Sequence, residues 1–281
     1  MADEGSDGAG RGGRPSVGTT GVATSSDGTA LAVDTIGEGA PVILIGGAFN
    51  DRGTVAGLAA ELAPQHTVAT YDRRGRGAST DHGVGYAVVA EVEDLAAVIA
   101  HVGGRAAVFG HSSGAVLALE GAMRGLPIDR LAVYEPPYTA DDALSRPQAE
   151  AYERLKALIA LGDGDGAAEL FLREFIGLPE EGLAGMKAGP AWDFLVEKAP
   201  SLPYDVLLSS PWDLLPADRL ARLTLPVLAV YGGRTAPALA AATEEVAALV
   251  PDAELVEIRD EDHGVLQRPA ALAPVLRRFF G

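Results

Sequence analysis

Near the middle of the chain, Gly110-His111-Ser112-Ser113-Gly114 fits the pattern G-x-S-x-G, in which a serine occupies a sharp turn between a strand and a helix. Its surroundings suit that turn: Ala106 to Phe109 is a short apolar run ahead of it, and Val116, Leu119 and Met123 follow at helical spacing. Flanking glycines let the backbone tighten and the helix pack closely, so the hydroxyl is pushed out above the sheet. The helix N-terminus then favours negative charge developing nearby. A serine hydroxyl attacks poorly until a base accepts its proton, and imidazole is the usual base near neutral pH. Of the five histidines, His66, His82 and His101 precede the serine, His111 lies inside the turn, and only His263 is downstream. His263 sits in Asp260-Glu261-Asp262-His263-Gly264, directly after the last expected strand, on a loop at the sheet edge where the serine emerges. Ser112 is therefore the expected nucleophile and His263 its general base, while His111 is expected to be structural, its side chain directed away from the serine.

Other chemistries find little to work with. The chain has no cysteine, which excludes disulfides, thiol catalysis and cysteine-ligated metals. The histidines lack paired ligand spacing, and Asp163 with Asp165 in a glycine-rich turn reads as a helix break, so no metal is expected. No Gly-Lys-Ser/Thr loop is present to hold phosphate, and no cofactor is expected. A formal charge of -17 would repel nucleic acid, and Arg73, Arg74 and Arg76, the one basic cluster, read as a solvated turn after a strand. No apolar run approaches the roughly 20 residues of a membrane span, and Met1 to Gly13 lacks the apolar segment of a secretory leader. A soluble cytoplasmic protein with no membrane partner is the expectation.

The elements that must carry Ser112 and His263 alternate along the chain. Residues 1–20 are glycine-rich with few large apolar side chains and read as a flexible tail. Beyond them, Asp27-Gly28 between two short runs signals an opening hairpin. Val42 to Ile45 is a continuous apolar run ending in Gly46-Gly47, as in a parallel strand buried on both faces. Val55, Leu58 and Leu62 follow at helical spacing, with Thr54 as the expected N-cap. Thr67 to Tyr71, Ala106 to Phe109, Leu131 to Tyr134, Pro226 to Tyr231 and Ala253 to Ile258 continue the strands, separated by helical patterns. This predicts a doubly wound, mostly parallel α/β sheet with right-handed crossovers. Between Tyr138 and about Pro216 the rhythm gives way to helical pieces broken by glycine and proline, so a core of residues 21–137 and 216–281 is expected to carry a helical cap over 138–215.

With the serine turn, the terminal histidine loop and Tyr71-Asp72-Arg73-Arg74-Gly75-Arg76-Gly77 after the fourth strand, the chain from about residue 21 onward resembles the α/β-hydrolase superfamily with a helical cap. The resemblance implies that Asp72 and its arginines shape a turn. Relatives commonly place a catalytic acid just after the strand following the cap, where this chain has Thr235. Other members draw it from the end of the preceding strand, which implies Glu135, in Val133-Tyr134-Glu135-Pro136-Pro137. That choice keeps the chain order serine, acid, histidine. Asp260 and Asp262 are fallbacks, and a serine–histidine dyad without an acid stays open. After the third strand relatives often carry His-Gly where this chain has Gly46-Gly47. By the resemblance, the oxyanion hole would use the N–H groups of Ala48 and Ser113, with Phe49 a substitute if the loop is shifted.

The segment 138–215 holds 8 of the 16 aromatic residues, some expected to line an apolar pocket and most to pack the cap itself. It also carries 14 acidic against 6 basic residues, which disfavours a highly anionic substrate. The leading expectation is cofactor-free hydrolysis of a hydrophobic small-molecule ester, lactone or related acyl compound through an acyl-enzyme on Ser112. Two rivals accompany it. One is a non-hydrolytic enzyme of secondary metabolism on this scaffold, a cyclase or carbon–carbon bond-forming or -cleaving catalyst, motivated by Thr235. The other is a ligand-binding protein that kept the fold and lost turnover.

Overall fold

A computed structural model describes residues 18–82, 87–138, 149–208 and 215–281. Its centre is an eight-stranded sheet in the order β1-β2-β4-β3-β5-β6-β7-β8, formed by Thr19–Thr24, Ala30–Ile36, Ala40–Ile45, His66–Tyr71, Ala106–His111, Ile128–Tyr134, Val227–Gly232 and Ala253–Ile258 for β1 to β8. β1 pairs antiparallel with β2 and β2 antiparallel with β4; every other pairing is parallel. The expected tail lies outside the described residues as far as Val17, and β1 already begins at Thr19. The predicted hairpin joins β1 to β2, where Gly28 takes a φ of 89° that other residues rarely adopt and Asp27 Oδ1 accepts from Thr29 N–H.

Alternation along the strands sorts the core into two layers. In β3, Val42 and Leu44 face one side of the sheet, with Leu58 and Leu62 of helix α1 (Ala56–Leu62). Ile43 and Ile45 face the other, with Leu95 and Ile99 of α2 (Val88–His101) and Leu117 of α3 (Ser113–Met123). Thr54 does not cap α1. Its N–H and hydroxyl are bonded to Asp51 Oδ1, and the helix starts from Val55 with no side-chain cap.

Between β6 and β7 the chain forms a helical insertion: α4 (Ala149–Ala160), α5 (Gly164–Leu170), α6 (Glu180–Lys187), α7 (Trp192–Lys198), α8 (Leu202–Leu208) and α9 (Ala217–Leu220). Asp163 does mark a helix boundary, its carboxylate accepting from Gly166 N–H at the start of α5. Leu155, Leu170, Phe171, Leu183, Trp192 and Leu202 form the insertion's own apolar cluster, which also takes in Phe49 from the core. Helices α10 (Pro237–Leu249) and α11 (Pro269–Phe280) complete the sheet's cover, α10 with the layer of α2 and α3, and α11 with that of α1. No helix is long and apolar enough to cross a membrane among the described residues.

Candidate active site

The C-terminal ends of β3, β5, β6, β7 and β8 lie side by side at one edge, and backbone bonds extend the ladder past the strand ends. Ser112 N–H donates to Tyr134 O at 2.9 Å, Glu135 N–H to Val230 O at 3.1 Å, and Gly233 N–H to Ile258 O at 3.0 Å. Residues 112, 135, 232 and the loop after 258 are thus drawn together by sheet geometry alone. Among the described residues, the only non-glycine residues with positive φ are Phe49 at 60°, Ser112 at 55° and Glu135 at 48°, all just past strands at this edge. Such backbone costs about 1–3 kcal/mol per residue and persists where the surrounding structure enforces it, which is common at functional sites.

The glycines around Ser112 are there for space. A Cβ on Gly110 would fall 2.3 Å from Gly114 O, and one on Gly114 would fall 2.6 Å from Ile45 O. On Gly47 it would stand 2.7 Å from Ser112 Cβ and 3.0 Å from His111 O, so the loop after β3 is pressed against the serine turn. That loop carries Ala48 and Phe49. Their N–H groups and that of Ser113 have no hydrogen-bond partner among the described residues, whereas Asn50 closes the loop by donating its N–H to Gly47 O. Ser112 is half-buried, and its Oγ makes no hydrogen bond among the described residues.

His263 Nδ1 lies 2.5 Å from Glu135 Oε2. The Glu135 side chain is fully buried, and its charge is met on all sides: Oε1 accepts from Gly232 N–H at 2.8 Å, and Oε2 also accepts from the Thr235 hydroxyl at 2.9 Å. Thr235, standing where relatives commonly carry an acid, thus donates to the Glu135 carboxylate. Asp260 pairs with Arg234, and Asp262 Oδ1 accepts from Gly264 N–H and Arg268, so neither fallback acid is bonded to the imidazole. With Nδ1 donating to Glu135, His263 Nε2 is left as the acceptor nitrogen.

The histidine loop is fixed from below. Tyr134 donates its hydroxyl to Asp262 O at 2.8 Å, and His111 Nε2 to His263 O at 2.8 Å. The His111 ring stacks on Tyr134 and lies 4.7 Å, centroid to centroid, from that of His263. His111 is thus turned from the serine, as expected, but toward the histidine loop. Burial, with a smaller contribution from the adjacent His263 ring, lowers its pKa to about 3, keeping it a neutral donor.

Arg73, Arg74 and Arg76 are not a solvated turn: all three are buried, at 3%, 5% and 4% exposure. Two carboxylates from α2 take in the first two, Arg73 forming a bidentate pair with Glu91 and Arg74 with Asp94. Asp72 shapes the turn as the resemblance implied, accepting from the N–H groups of Arg52 and Ala78. The surprise is Asp205 in α8, which meets Arg73, Arg76 and Ser113. The single acid in Leu202-Pro203-Tyr204-Asp205-Val206-Leu207-Leu208 was its only sequence signal, since buried carboxylates need partners. No group of three or more potential ligands is arranged to hold a metal ion among the described residues.

Residues 12–275 match the alpha/beta hydrolase family, and the chain belongs to it. It is similar over 93% of its length, and the whole of the other chain, to the structure of an alpha/beta hydrolase from Sphaerobacter thermophilus, at 42% identity and a TM-score of 0.87. An enol-lactonase from Burkholderia xenovorans aligns at 20% identity and a TM-score of 0.72, covering 92% of this chain and 99% of that one. For an esterase from Rhodococcus sp. the values are 20% and 0.68, covering 93% and 98%. At these two identities the likeness is one of fold. No curated protein sequence matches the chain.

Proposed function

We propose that the protein is a cofactor-free serine hydrolase acting on a hydrophobic small-molecule ester, lactone or related acyl compound. The observation that carries this reading is the 2.5 Å contact of His263 Nδ1 with the buried Glu135 carboxylate, beside the strained turn of Ser112. Glu135 fixes the imidazole tautomer that leaves Nε2 free to accept a proton, and it stabilises the imidazolium that results. Ser112 Oγ attacks the acyl carbon while His263 takes its proton. The carbonyl oxygen becomes an oxyanion, received by Ser113 N–H and by Ala48 or Phe49 N–H. The carbonyl then re-forms as the bond to the leaving group breaks, and His263 returns the proton to the leaving group's oxygen, leaving an ester on Ser112. Water attacks this acyl-enzyme, giving its proton to His263, and the acid product departs as Ser112 recovers the proton.

The helical insertion serves as a cap. Phe49 meets Phe171 edge-on at 5.5 Å and Phe171 stacks on Phe175 at 5.6 Å, so the candidate oxyanion loop is packed onto the insertion's apolar cluster, and apolar surroundings of this kind favour a hydrophobic acyl or alcohol group. The relatives named enol-lactonase and esterase are consistent in reaction class. The neutral residue at position 235 motivated a non-hydrolytic rival; the bond from Thr235 to Glu135, by pairing that position with a carboxylate, supports the hydrolytic reading.

The test is covalent. A fluorophosphonate probe should modify Ser112, located by mass spectrometry of the digested protein, and a panel of aryl esters should be hydrolysed with a burst. Both should vanish in Ser112→Ala. Absence of labelling at Ser112 in folded wild-type protein would end the reading, and turnover of a larger metabolite by an ester-inert protein would favour the rival.

A further inference from the structure

Asp205 has no part in the serine–histidine–glutamate set, yet it is tied to both sides of the candidate oxyanion hole. It is buried, and its Oδ1 accepts from Ser113 Oγ at 2.6 Å, Arg76 Nη2 at 2.7 Å and Arg73 Nη1 at 2.9 Å. Burial pushes its carboxyl upward, but the guanidiniums of Arg76 and Arg73 and the Ser113 hydroxyl outweigh that and hold it below the usual carboxylate range. Arg76 carries the contact onward: its Nη1 donates to Gly47 O at 2.6 Å and to Asn50 O at 3.2 Å. Those two carbonyls bracket the N–H groups of Ala48 and Phe49, while Ser113 supplies the N–H on the opposite side. One carboxylate oxygen, brought by the insertion, therefore spans the two donor walls.

Resting on the serine-hydrolase reading, we infer that Asp205 is a positioning residue: through Ser113 on one side and Arg76 with Gly47 on the other, it sets the separation of the two oxyanion donors. Donors must stand about 2.7–3.1 Å from the developing oxyanion, and a misplacement of about 1 Å can cost on the order of a hundredfold in rate. Because Asp205 belongs to α8, that separation also depends on how the insertion seats on the core. Its second oxygen, Oδ2, is buried without a partner among the described residues, so Asp205→Asn keeps the Oδ1 acceptor while removing the charge that balances Arg76.

The experiment compares Asp205→Ala, Asp205→Asn and Ser113→Ala with wild type. Read out are the rate of Ser112 phosphonylation per folded molecule, kcat and KM on an aryl ester, and affinity for an arylboronic acid that forms a tetrahedral adduct. Asp205→Ala should slow labelling and kcat by about 10- to 100-fold and weaken the boronate by a similar factor, with KM changed by less than about threefold. Asp205→Asn, which keeps the Oδ1 acceptor but not the charge, should recover part of that loss. A lowered melting temperature with a wild-type labelling rate in Asp205→Ala would mean that Asp205 only holds the insertion down, and would overturn the inference. Should Asp205→Ala fail to fold, Ser113→Ala decides: it keeps both arginine pairs and its backbone donor, is expected to label several-fold more slowly, and an unchanged rate refutes the proposal. Wild-type protein unlabelled at Ser112 defeats instead the reading on which the inference rests.

Discussion

Glu135→Gln removes one charge and keeps almost the same shape, so its effect is set by the hydrogen bonds that surround the side chain. Glu135 receives three donors: Gly232 N–H on Oε1, and His263 Nδ1–H and the Thr235 hydroxyl on Oε2. Glutamine offers one oxygen and one NH2. If the NH2 takes the Oε1 position it confronts Gly232 N–H, a buried donor against a donor, at a cost of about 1–3 kcal/mol. If it takes the Oε2 position, the Thr235 hydroxyl can rotate to accept, and the imidazole must present an unprotonated Nδ1. The second arrangement is favoured, and it puts the proton on Nε2, where the base should be. Losing the correct tautomer in a serine triad lowers kcat by about 10⁴, equivalent to about 5.4 kcal/mol of transition-state stabilisation. A loss of about 10³–10⁴ in kcat is therefore expected, with the fold retained by near-ultraviolet circular dichroism. The assay is steady-state and burst-phase hydrolysis of an activated aryl ester. Folded Glu135→Gln with kcat within about tenfold of wild type would refute the reasoning and move Glu135 to a structural role.

Two further substitutions test separate parts of the site. Gly47→Ala would set a methyl group 2.7 Å from Ser112 Cβ, so the loop carrying Ala48 and Phe49 must retreat from the serine; loss of one oxyanion donor predicts a fall of about 10²–10³ in kcat, measured by single-turnover acylation. His111, whose pKa burial lowers from 6.5 to about 3, binds its proton more readily unfolded than folded, so it destabilises the fold as pH drops below 6.5 and fully so below 3. Urea unfolding at pH 7.5 and pH 5 should show wild type losing about 2 kcal/mol more than His111→Gln, and equal losses would contradict the buried neutral state.

The strands and the serine turn were legible because their signals are local. A continuous apolar run closed by Gly46-Gly47 named β3, a short apolar run ahead of the serine turn named β5, and G-x-S-x-G sits between β5 and α3 as its context requires. His263 was reachable by elimination among five histidines. Glu135 entered only by resemblance, because its contact with His263 spans 128 residues and depends on β6 lying beside β7, which periodicity does not report. The arginine turn was misread for a related reason. Charges look solvated until their partners are known, and here Glu91 and Asp94 come from the next helix while Asp205 comes from the insertion, far along the chain. Thr54 failed as a cap because Asp51, three residues earlier, competes for its N–H and hydroxyl. Trp212, counted among the aromatic residues of the insertion, lies outside the described residues.

In the proposed mechanism Ser112, His263 and Glu135 act as one unit on an acyl carbon held between two backbone donors. A crystal structure of the fluorophosphonate adduct tests it most directly. Expected are phosphorus bonded to Ser112 Oγ, the phosphoryl oxygen about 2.7–3.1 Å from Ser113 N and from Ala48 or Phe49 N, and His263 Nε2 within hydrogen-bond reach of the adduct while Nδ1 keeps Glu135. Phosphorus on another residue, or an adduct on Ser112 with His263 held out of reach, would contradict it.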